Sequence, residues 1–416
     1  MSRPAVPLPP GRRRRQRAVL TVTALASVLG LTAACSAPSP GPTAASDTAG
    51  VDAGELQSTF QDAAAALEVP GAFMLLRTPE GEVLGSYGTV SADETLPPRA
   101  DHHLRVGSNT KTWTGTVILQ LAQEGVLDLD DPIAAYRPDV PNGENITIEQ
   151  LLSMRSGLYN YTLDRGLNQA MDEDPERAWD PEDLLAISWE HPPSFAPGAG
   201  WEYSNTNTVL LGLVAEQLEG EPLERIFADR LFTPLGLADT LFPARSSNRI
   251  PEPYAHGYMF GSNVLTMGTP PALPERMQEQ ARSGALDPVD RTFDNPSWGW
   301  AAGGGISTAH DLADWAEALT DGRLLDEEFQ RLRMESPRST GGDQPGSARY
   351  GLAIAKFGEL YGHTGELPGY NSFMGHDPDR DITLVVWANL APTPDGRDPA
   401  TTIARTLVDS IYPVGN

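Results

Sequence analysis

Apolar side chains recur at helical spacing in several separate stretches of the chain. Leu56, Phe60 and Ala64 fall on one helical face, and the pattern stops before Pro70, which predicts a helix over residues 56–67. Similar patterns predict that helices make up a large part of the chain. The further helices are predicted over residues 108–124, 148–154, 181–189, 207–218, 308–319 and 400–411.

Short apolar runs bounded by turn residues predict strands near both ends of the chain. The runs at 71–77 and 83–90 flank Pro79-Glu-Gly81, a turn signal, and predict a hairpin. The connections between the remaining runs are also short, which predicts antiparallel pairing. These remaining runs lie near the C-terminus, at residues 350–357, 360–364, 370–376 and 382–388.

The middle of the chain, from about residue 131 to residue 290, has a helical pattern with proline-rich connections. Residues 262–290 have no clear period, which predicts a loop or lid insertion. The predicted fold class is therefore α/β, of the α+β kind. An antiparallel sheet built from both chain ends is flanked by helices, and a mainly helical lobe occupies about 131–299.

The first 34 residues have the pattern of a targeting segment. Five arginines at positions 12–15 and 17 precede an apolar run over 18–31, which is too short to span a bilayer comfortably. The run ends in Leu31-Thr-Ala-Ala-Cys35 and resembles a bacterial lipoprotein signal, which implies lipid on Cys35, export and a membrane anchor facing the outside. An ordinary secretory signal and a twin-arginine signal are the alternatives. Residues 35–52 are small and polar and predict a flexible tether to a domain at 53–416.

Charge and cysteine content exclude several functions. Residues 35–416 carry 24 basic against 56 acidic residues, a net charge of −32, so nucleic acid is not an expected partner. Cys35 is the only cysteine, so no intrachain disulfide and no second thiol nucleophile are possible. The sequence contains no H-E-x-x-H motif or cysteine cluster, and we predict neither a metal nor a cofactor.

Ser108-Asn-Thr-Lys111 is the strongest chemical signal in the chain. The sequence has 28 arginines and only two lysines, yet one lysine lies three residues after a serine at a predicted helix start. Arginine cannot give up its proton in a protein, whereas a partly buried lysine can. The positive end of the helix further disfavours a protonated Lys111. The spacing therefore predicts a serine nucleophile activated by a lysine base.

Three other segments complete a recognisable set. Tyr203-Ser-Asn205 follows a glycine-rich turn, His363-Thr-Gly365 lies on a predicted strand, and a glycine run at 301–306 precedes a helix. With Ser108-Asn-Thr-Lys111, this set resembles the serine penicillin-recognising hydrolases, which carry S-x-x-K, Y-x-N and H-T-G or K-T-G in this order. The resemblance points to the branch with class C β-lactamases, D-alanyl-D-alanine carboxypeptidases, esterases and D-aminopeptidases, and it implies a β-lactamase/transpeptidase-like fold.

The resemblance implies a catalytic role for four side chains. Ser108 would be acylated, and Lys111 would help to deprotonate it. Tyr203 would exchange a proton with Ser108 and with the leaving group, and His363 would orient Tyr203 or Lys111. The backbone N–H groups of Ser108 and Glu366 would form the oxyanion hole, where charge develops on the carbonyl oxygen.

The resemblance also implies substrate contacts from Asn205, Thr364 and Gly365. Glu366 departs from the family pattern, because carboxypeptidase members have a small hydroxyl residue there to receive a terminal carboxylate. A carboxylate at that position would repel such a substrate unless Glu366 turned to solvent. Arg349, at the start of the preceding predicted strand, is the nearest candidate in sequence to bind an acid group.

The sequence leaves the reaction open among related chemistries. The first expectation is hydrolysis of a D-alanyl peptide of the cell wall through an acyl-enzyme on Ser108. Esterase, D-aminopeptidase and β-lactamase activities are the alternatives within the same fold. A penicillin-binding-like protein without catalysis is the alternative outside enzymes.

Overall fold

The computed structural model describes residues 52–268, 271–341 and 348–412. The predicted targeting segment, most of the predicted tether and the lipidation residue Cys35 lie outside the described residues. Within those residues, no helix is both long enough and apolar enough to span a bilayer. They all belong to one compact unit, Ala45–Asn416.

Twelve α-helices lie in the described part of the chain, and acidic or hydroxyl side chains cap the start of several of them. Asp52 accepts hydrogen bonds from two N–H groups of the first helix, and Thr147 forms a capping box with Gln150. In chain order the helices are α1 Ala53–Ala66, α2 Thr110–Gln123, α3 Ile148–Leu152, α4 Arg165–Glu173, α5 Pro181–Trp189, α6 Asn205–Glu219, α7 Leu223–Phe227, α8 Thr233–Leu235, α9 Glu275–Arg282, α10 Ala309–Ala318, α11 Glu327–Glu335 and α12 Pro399–Ile411.

The strands form one large antiparallel sheet and two small pairs. The large sheet has eight strands in the order β2-β1-β12-β11-β10-β9-β8-β7, so the strands nearest the two chain ends pair directly. The strands are β1 Gly71–Thr78, β2 Gly81–Gly88, β3 Leu104–Arg105, β4 Tyr258–Met259, β5 Val289–Asp290, β6 Ile306–Ser307, β7 Arg338–Ser339, β8 Arg349–Tyr350, β9 Ala355–Phe357, β10 Leu360–Leu367, β11 Tyr370–Asp377 and β12 Ile382–Ala388.

Helices cover both faces of this sheet, which confirms the predicted layered fold. One core, with Phe60 of α1 and Leu407 of α12, packs on one face. The other core, with Trp113 of α2 and Trp315 of α10, packs on the opposite face and continues into the helical region. Every residue of β11 and β12 is buried, as expected for central strands covered on both sides.

Helix α2 is enclosed on all sides rather than on one face. The sequence pattern predicted one buried stripe through Trp113, Val117 and Leu121, but every residue from Thr110 to Ala122 is buried. The other buried positions hold small residues, Thr, Gly and Ala, and the larger Lys111, Ile118, Leu119 and Gln120, so neighbouring elements pack around the whole helix. This enclosure fixes the position of Lys111 inside the protein.

The predicted secondary structure of two segments was wrong in detail. Residues 262–290 were expected to be irregular, but they contain α9, Glu275–Arg282, and β5. Helix α9 has no buried residue, so it shows no apolar period from which it could be predicted. The single strand expected over 350–357 is split into β8 and β9 by a turn in which Ala353 has a positive φ of 53°.

Candidate active site

A tight turn at the start of α2 presents Ser108. Ser108 lies in the 3₁₀ turn Gly107–Asn109, immediately before α2. The Asn109 side-chain amide donates to the Val106 carbonyl at 2.9 Å and to the Ser372 hydroxyl at 2.8 Å, and the Thr110 hydroxyl donates to the Gly107 carbonyl at 2.7 Å. These bonds tie the turn to the sheet, so Ser108 is held by rigid neighbours on both sides.

Lys111 lies one turn along α2 and bonds to three oxygen atoms. Its Nζ lies 3.0 Å from Ser108 Oγ, 2.6 Å from Asn205 Oδ1 and 2.6 Å from the carbonyl oxygen of Ala302. Burial lowers the pKa of Lys111 well below 10.5, because removal from water penalises the ammonium form.

The three partners of Lys111 suit a neutral amine. The Ala302 carbonyl and Asn205 Oδ1 can only accept hydrogen bonds, so they take the two N–H bonds of a neutral amine. When Lys111 is neutral, the hydroxyl of Ser108 is the partner that donates, and the amine lone pair faces Ser108 Oγ; when Lys111 is protonated, its third N–H donates to Ser108 Oγ instead. This arrangement lets Lys111 accept the Ser108 proton.

The orientation of Asn205 is set by groups behind it. Its Nδ2 lies 3.3 Å from Asn160 Oδ1 and 3.2 Å from Thr162 Oγ1, and its backbone N–H also donates to Asn160 Oδ1 at 3.1 Å. With Nδ2 directed to these oxygens, Oδ1 must face Lys111. Asn205 therefore positions the lysine as well as lining the cleft.

Tyr203 lies beside Ser108 and Lys111. It lines the same cleft as Ser108, and Lys111 Nζ lies 4.8 Å from the centre of its ring. Burial raises the pKa of Tyr203. Tyr203 is therefore a neutral phenol that can pass a proton but is a poor base without help from Lys111.

His363 packs near Tyr203 and bonds to other groups. Its Nδ1 lies 2.6 Å from the Thr364 carbonyl oxygen, which can only accept, so Nδ1 carries the proton. Nε2 then accepts from the Tyr350 hydroxyl at 3.0 Å. Burial is the largest cause that lowers the pKa of His363 to about 3, so the ring is neutral. The ring centres of His363 and Tyr203 lie 6.2 Å apart.

Strand β10 passes very close to the Ser108 turn. Gly107 has a positive φ of 54°, and a Cβ there would lie 2.5 Å from the Glu366 nitrogen. A Cβ on Gly365 would lie 1.9 Å from the Val106 carbonyl oxygen. Both positions need glycine for this approach, which brings the backbone of Glu366 beside Ser108.

A cleft of about 540 Å³ opens in front of Ser108. Ser108, Tyr203, Asn205 and Glu366 supply polar groups to its lining. None of the described lining residues is Arg, Lys or His, and Lys111 lies behind Ser108. Much of the remaining wall is apolar, with Leu163, Met171, Met259, Met267, Trp298 and Leu367.

Three residues predicted to bind substrate, Arg349, Thr364 and Gly365, do not line this cleft among the described residues. Arg349 is exposed on β8, and the next residue, Tyr350, points to His363. Because successive strand residues point to opposite faces, Arg349 points away from the site. Thr364 follows His363 directly on β10, so its side chain points to the opposite face of the strand. Its carbonyl oxygen, rather than its hydroxyl, contacts the ring of His363.

Several groups that shape the site were not found from the sequence. Tyr350 holds His363, while Asn160 and Thr162 hold Asn205. None of them belongs to a short motif, so their roles depend on long-range contacts. The glycine run at 301–306 did signal part of the site, because the carbonyl of Ala302 binds Lys111.

Residues 56–408 match the family described as Beta-lactamase, which is most of the chain. Among solved structures, a D-stereospecific amidohydrolase from Streptomyces sp. is similar with a TM-score of 0.72 and 29% identity, covering 86% of this chain and 99% of that one. D-amino acid amidase from Ochrobactrum anthropi SV3, complexed with L-phenylalanine, has a TM-score of 0.71 and 28% identity, covering 86% and 97%.

Curated relatives share parts of the chain. PbpX of Bacillus subtilis (strain 168), named as a penicillin-binding protein, is 27% identical over 287 residues, 68% of this chain and 61% of the relative. Esterase EstB of Burkholderia gladioli is 32% identical over 232 residues, 52% of this chain and 58% of the relative. The match thus spans about six-tenths of the length of these relatives.

Proposed function

The chain belongs to the beta-lactamase family, and on this premise we propose that it hydrolyses amides and esters of D-amino acids whose leaving group bears no carboxylate. The site has the groups of a serine hydrolase, and the observation that carries the finer proposal is the composition of the cleft. Its described lining contains no cationic side chain. A carboxylate taken from water into such a cleft would lose hydration without gaining a partner.

In acylation, Ser108 Oγ forms a bond to the substrate carbonyl carbon as its proton passes to Lys111 Nζ. The carbonyl oxygen takes the negative charge and is stabilised by the backbone N–H groups of Ser108 and Glu366. Collapse of this intermediate breaks the bond to the leaving group, which takes the proton of the Tyr203 hydroxyl. Lys111 then returns its extra proton to Tyr203, and the acyl-enzyme remains.

In deacylation, a water molecule attacks the acyl carbon and gives its proton to Lys111 through Tyr203. The bond to Ser108 Oγ breaks, and Oγ regains a proton from Lys111. The 3.0 Å distance between Lys111 Nζ and Ser108 Oγ supports this exchange in both directions. His363 takes no proton in this scheme, because its Nε2 already accepts from Tyr350.

Substrates matched in everything but charge test the proposal. N-acetyl-D-alanyl-D-alanine amide and N-acetyl-D-alanyl-D-alanine differ only in the terminal group, and we expect a higher kcat/KM for the amide. The corresponding L-peptides control for stereochemistry. D-alanyl-D-alanine carboxypeptidase activity is the second candidate, favoured by the similarity to PbpX. Faster cleavage of the free acid would support that candidate against ours.

A non-catalytic binding protein is distinguished by labelling. A fluorescent fluorophosphonate, which reacts with activated serines and carries no carboxylate, should label the purified protein covalently, and Ser108→Ala should abolish labelling. Ser156→Ala is a suitable control, because the Ser156 hydroxyl is buried and donates to Asn207 Oδ1 at 2.6 Å, away from Lys111. No labelling and no turnover of any substrate would favour the binding protein.

We also propose that the protein is exported and anchored by lipid on Cys35. The arginines before the apolar run and the position of Cys35 at its end support this proposal. In a bacterial host, the full chain should fractionate with membranes, and Cys35→Ala should release it. Ser36→Ala is the control at the neighbouring position. Equal fractionation of wild type and Cys35→Ala would contradict the proposal.

A further inference from the structure

Asp172, near the end of α4, connects this helix to a distant part of the chain. Its Oδ1 accepts from the backbone N–H of Asn263 at 2.8 Å and from the Asn263 side-chain amide at 2.9 Å, and its Oδ2 accepts from the backbone N–H of Val264 at 3.0 Å. Hydrogen bonds to an ionised carboxylate are stronger than those between neutral groups. One side chain of α4 therefore fixes the position of residues 263 and 264.

The bonds of Asp172 join two walls of the cleft in front of Ser108. Met171, the residue before Asp172 on α4, lines the cleft, and Asn263 and Met267 line it from the distant part of the chain. We call residues 262–268 the wall segment. Because Asp172 holds Asn263 against α4, the two walls meet at this contact and close the cleft there.

The wall segment depends on Asp172 for its position. Within the segment, the N–H groups of Leu265 and Thr266 donate to the Ser262 carbonyl at 3.1 and 3.2 Å, and these local bonds shape a turn. Among the described residues, the hydrogen bonds that join residues 262–268 to other parts of the chain all end on Asp172. The local bonds therefore set the shape of the segment, and the carboxylate sets its distance from α4.

A second, smaller cavity lies on the other side of this contact. Its volume is about 10 Å³, which is about the space that one water molecule needs. Met171, Asn263 and Trp298 line both this cavity and the cleft, so their side chains separate the two spaces. The position of this partition depends on the bonds between Asp172 and Asn263, and so does the depth of the cleft.

The group that the cleft receives at this wall follows from the leaving groups. A primary amide or a methyl ester releases only ammonia or methanol, so most of the cleft of about 540 Å³ is available to the acyl residue. Met171, Met267 and Trp298 give the wall near the contact an apolar surface. A benzyl side chain can bury its apolar area against such a wall, whereas a methyl side chain leaves most of the space to water.

We propose that Asp172 is a positioning residue that sets the size of the acyl side chain that the enzyme prefers. With the carboxylate in place, the wall segment packs against a large apolar side chain. Without it, the wall segment is no longer held at α4 and this packing is lost, while Ser108 and Lys111 keep their places. The inference rests on the proposed function, because it takes the acyl residue to be a D-amino acid, and it names the part of the substrate that the cleft selects.

Two amides that differ by one phenyl ring test the proposal, D-phenylalanine amide and D-alanine amide. We expect wild type to prefer D-phenylalanine amide in kcat/KM on the order of tenfold to a hundredfold, from burial of the ring. Asp172→Ala should bring this ratio close to one, mainly by raising KM for the larger substrate. Asp172→Asn should give an intermediate ratio, because its oxygen still accepts from Asn263 but its NH₂ group faces the N–H of Val264.

Glu173→Gln is the matched control. Glu173 is the next acid on α4, is exposed, and accepts from Gln169 of the same helix at 2.8 Å. The control should keep the wild-type ratio, and thermal unfolding shows whether each variant is folded. A wild-type ratio near one, or a folded Asp172→Ala with the wild-type ratio, would overturn the inference and leave the proposed function intact. If Asp172→Ala does not fold, the Asp172→Asn ratio decides, and a value equal to wild type refutes the inference.

Achiral esters separate this inference from the proposed function. If wild type hydrolyses neither amide, the proposed function fails, and 4-nitrophenyl 3-phenylpropanoate and 4-nitrophenyl propanoate take the place of the amides. These esters differ by the same phenyl ring, and the ratio of their acylation rates should fall in Asp172→Ala. An unchanged ratio, or no reaction of wild type with either ester, would overturn the inference as well.

Discussion

Replacing Lys111 with methionine is the sharpest test of the catalytic arrangement. Methionine keeps an unbranched side chain of similar length in the buried position but has no proton acceptor of comparable strength. Among the described residues, Lys111 Nζ is the basic nitrogen recorded within hydrogen-bond distance of Ser108 Oγ. Tyr203 cannot replace it, because burial raises the pKa of its phenol. The variant should therefore lose the whole contribution of the base.

The size of the loss follows from the role. General-base catalysis contributes roughly 10²–10⁴-fold, which corresponds to about 2.7–5.4 kcal/mol of barrier. Stopped-flow acylation by 4-nitrophenyl acetate measures this step directly. In wild type the rate should rise with pH through the depressed pKa of Lys111, because only the neutral amine accepts a proton. In Lys111→Met this rise should be absent.

Lys356→Met is the matched control. Lys356 is the second lysine of the chain, and its Nζ lies 3.0 Å from the Tyr361 hydroxyl on the neighbouring strand. The Lys356→Met variant should be acylated at the wild-type rate. Circular dichroism and thermal unfolding show whether each variant is folded. A folded Lys111→Met that acylates within a factor of about ten of wild type would refute the assignment of Lys111 as the base.

Three further substitutions test the supporting structure. Tyr350→Phe should lower the free energy of unfolding in urea by about 1–3 kcal/mol, because His363 Nε2 loses its donor in a buried site; unchanged stability would contradict that bond. Gly107→Ala should lower both turnover and the melting temperature, since its Cβ would lie 2.5 Å from the Glu366 nitrogen. Gly125→Ala, with a φ of 70° and open space around it, controls for backbone strain alone, and equal effects on turnover would argue against the close approach. His363→Gln should weaken the loss of stability on acidification, because the wild-type stability from neutral His363 is lost as pH falls from about 6.5 towards its folded pKa of about 3. Identical acid unfolding curves would show that His363 does not contribute.

Local patterns in the sequence were sufficient for the fold class and for the centre of the site. The period of apolar residues predicted α5 at its observed bounds and placed the five long strands of the large sheet to within a few residues. Ser108 and Lys111 were predictable because their spacing along one helix already brings them together, whatever the rest of the chain does. Helix α9 and the break between β8 and β9 have no such local signal.

Contacts between distant parts of the chain decided the rest. Helices and loops far along the sequence exclude water from Lys111. Asn205 and the carbonyl of Ala302, which accept hydrogen bonds from its Nζ, are also distant in sequence. Arg349 was chosen for its nearness in sequence, but strand alternation turns it away from the cleft. The order of residues therefore supplies the reacting groups, and only packing determines which of them is charged.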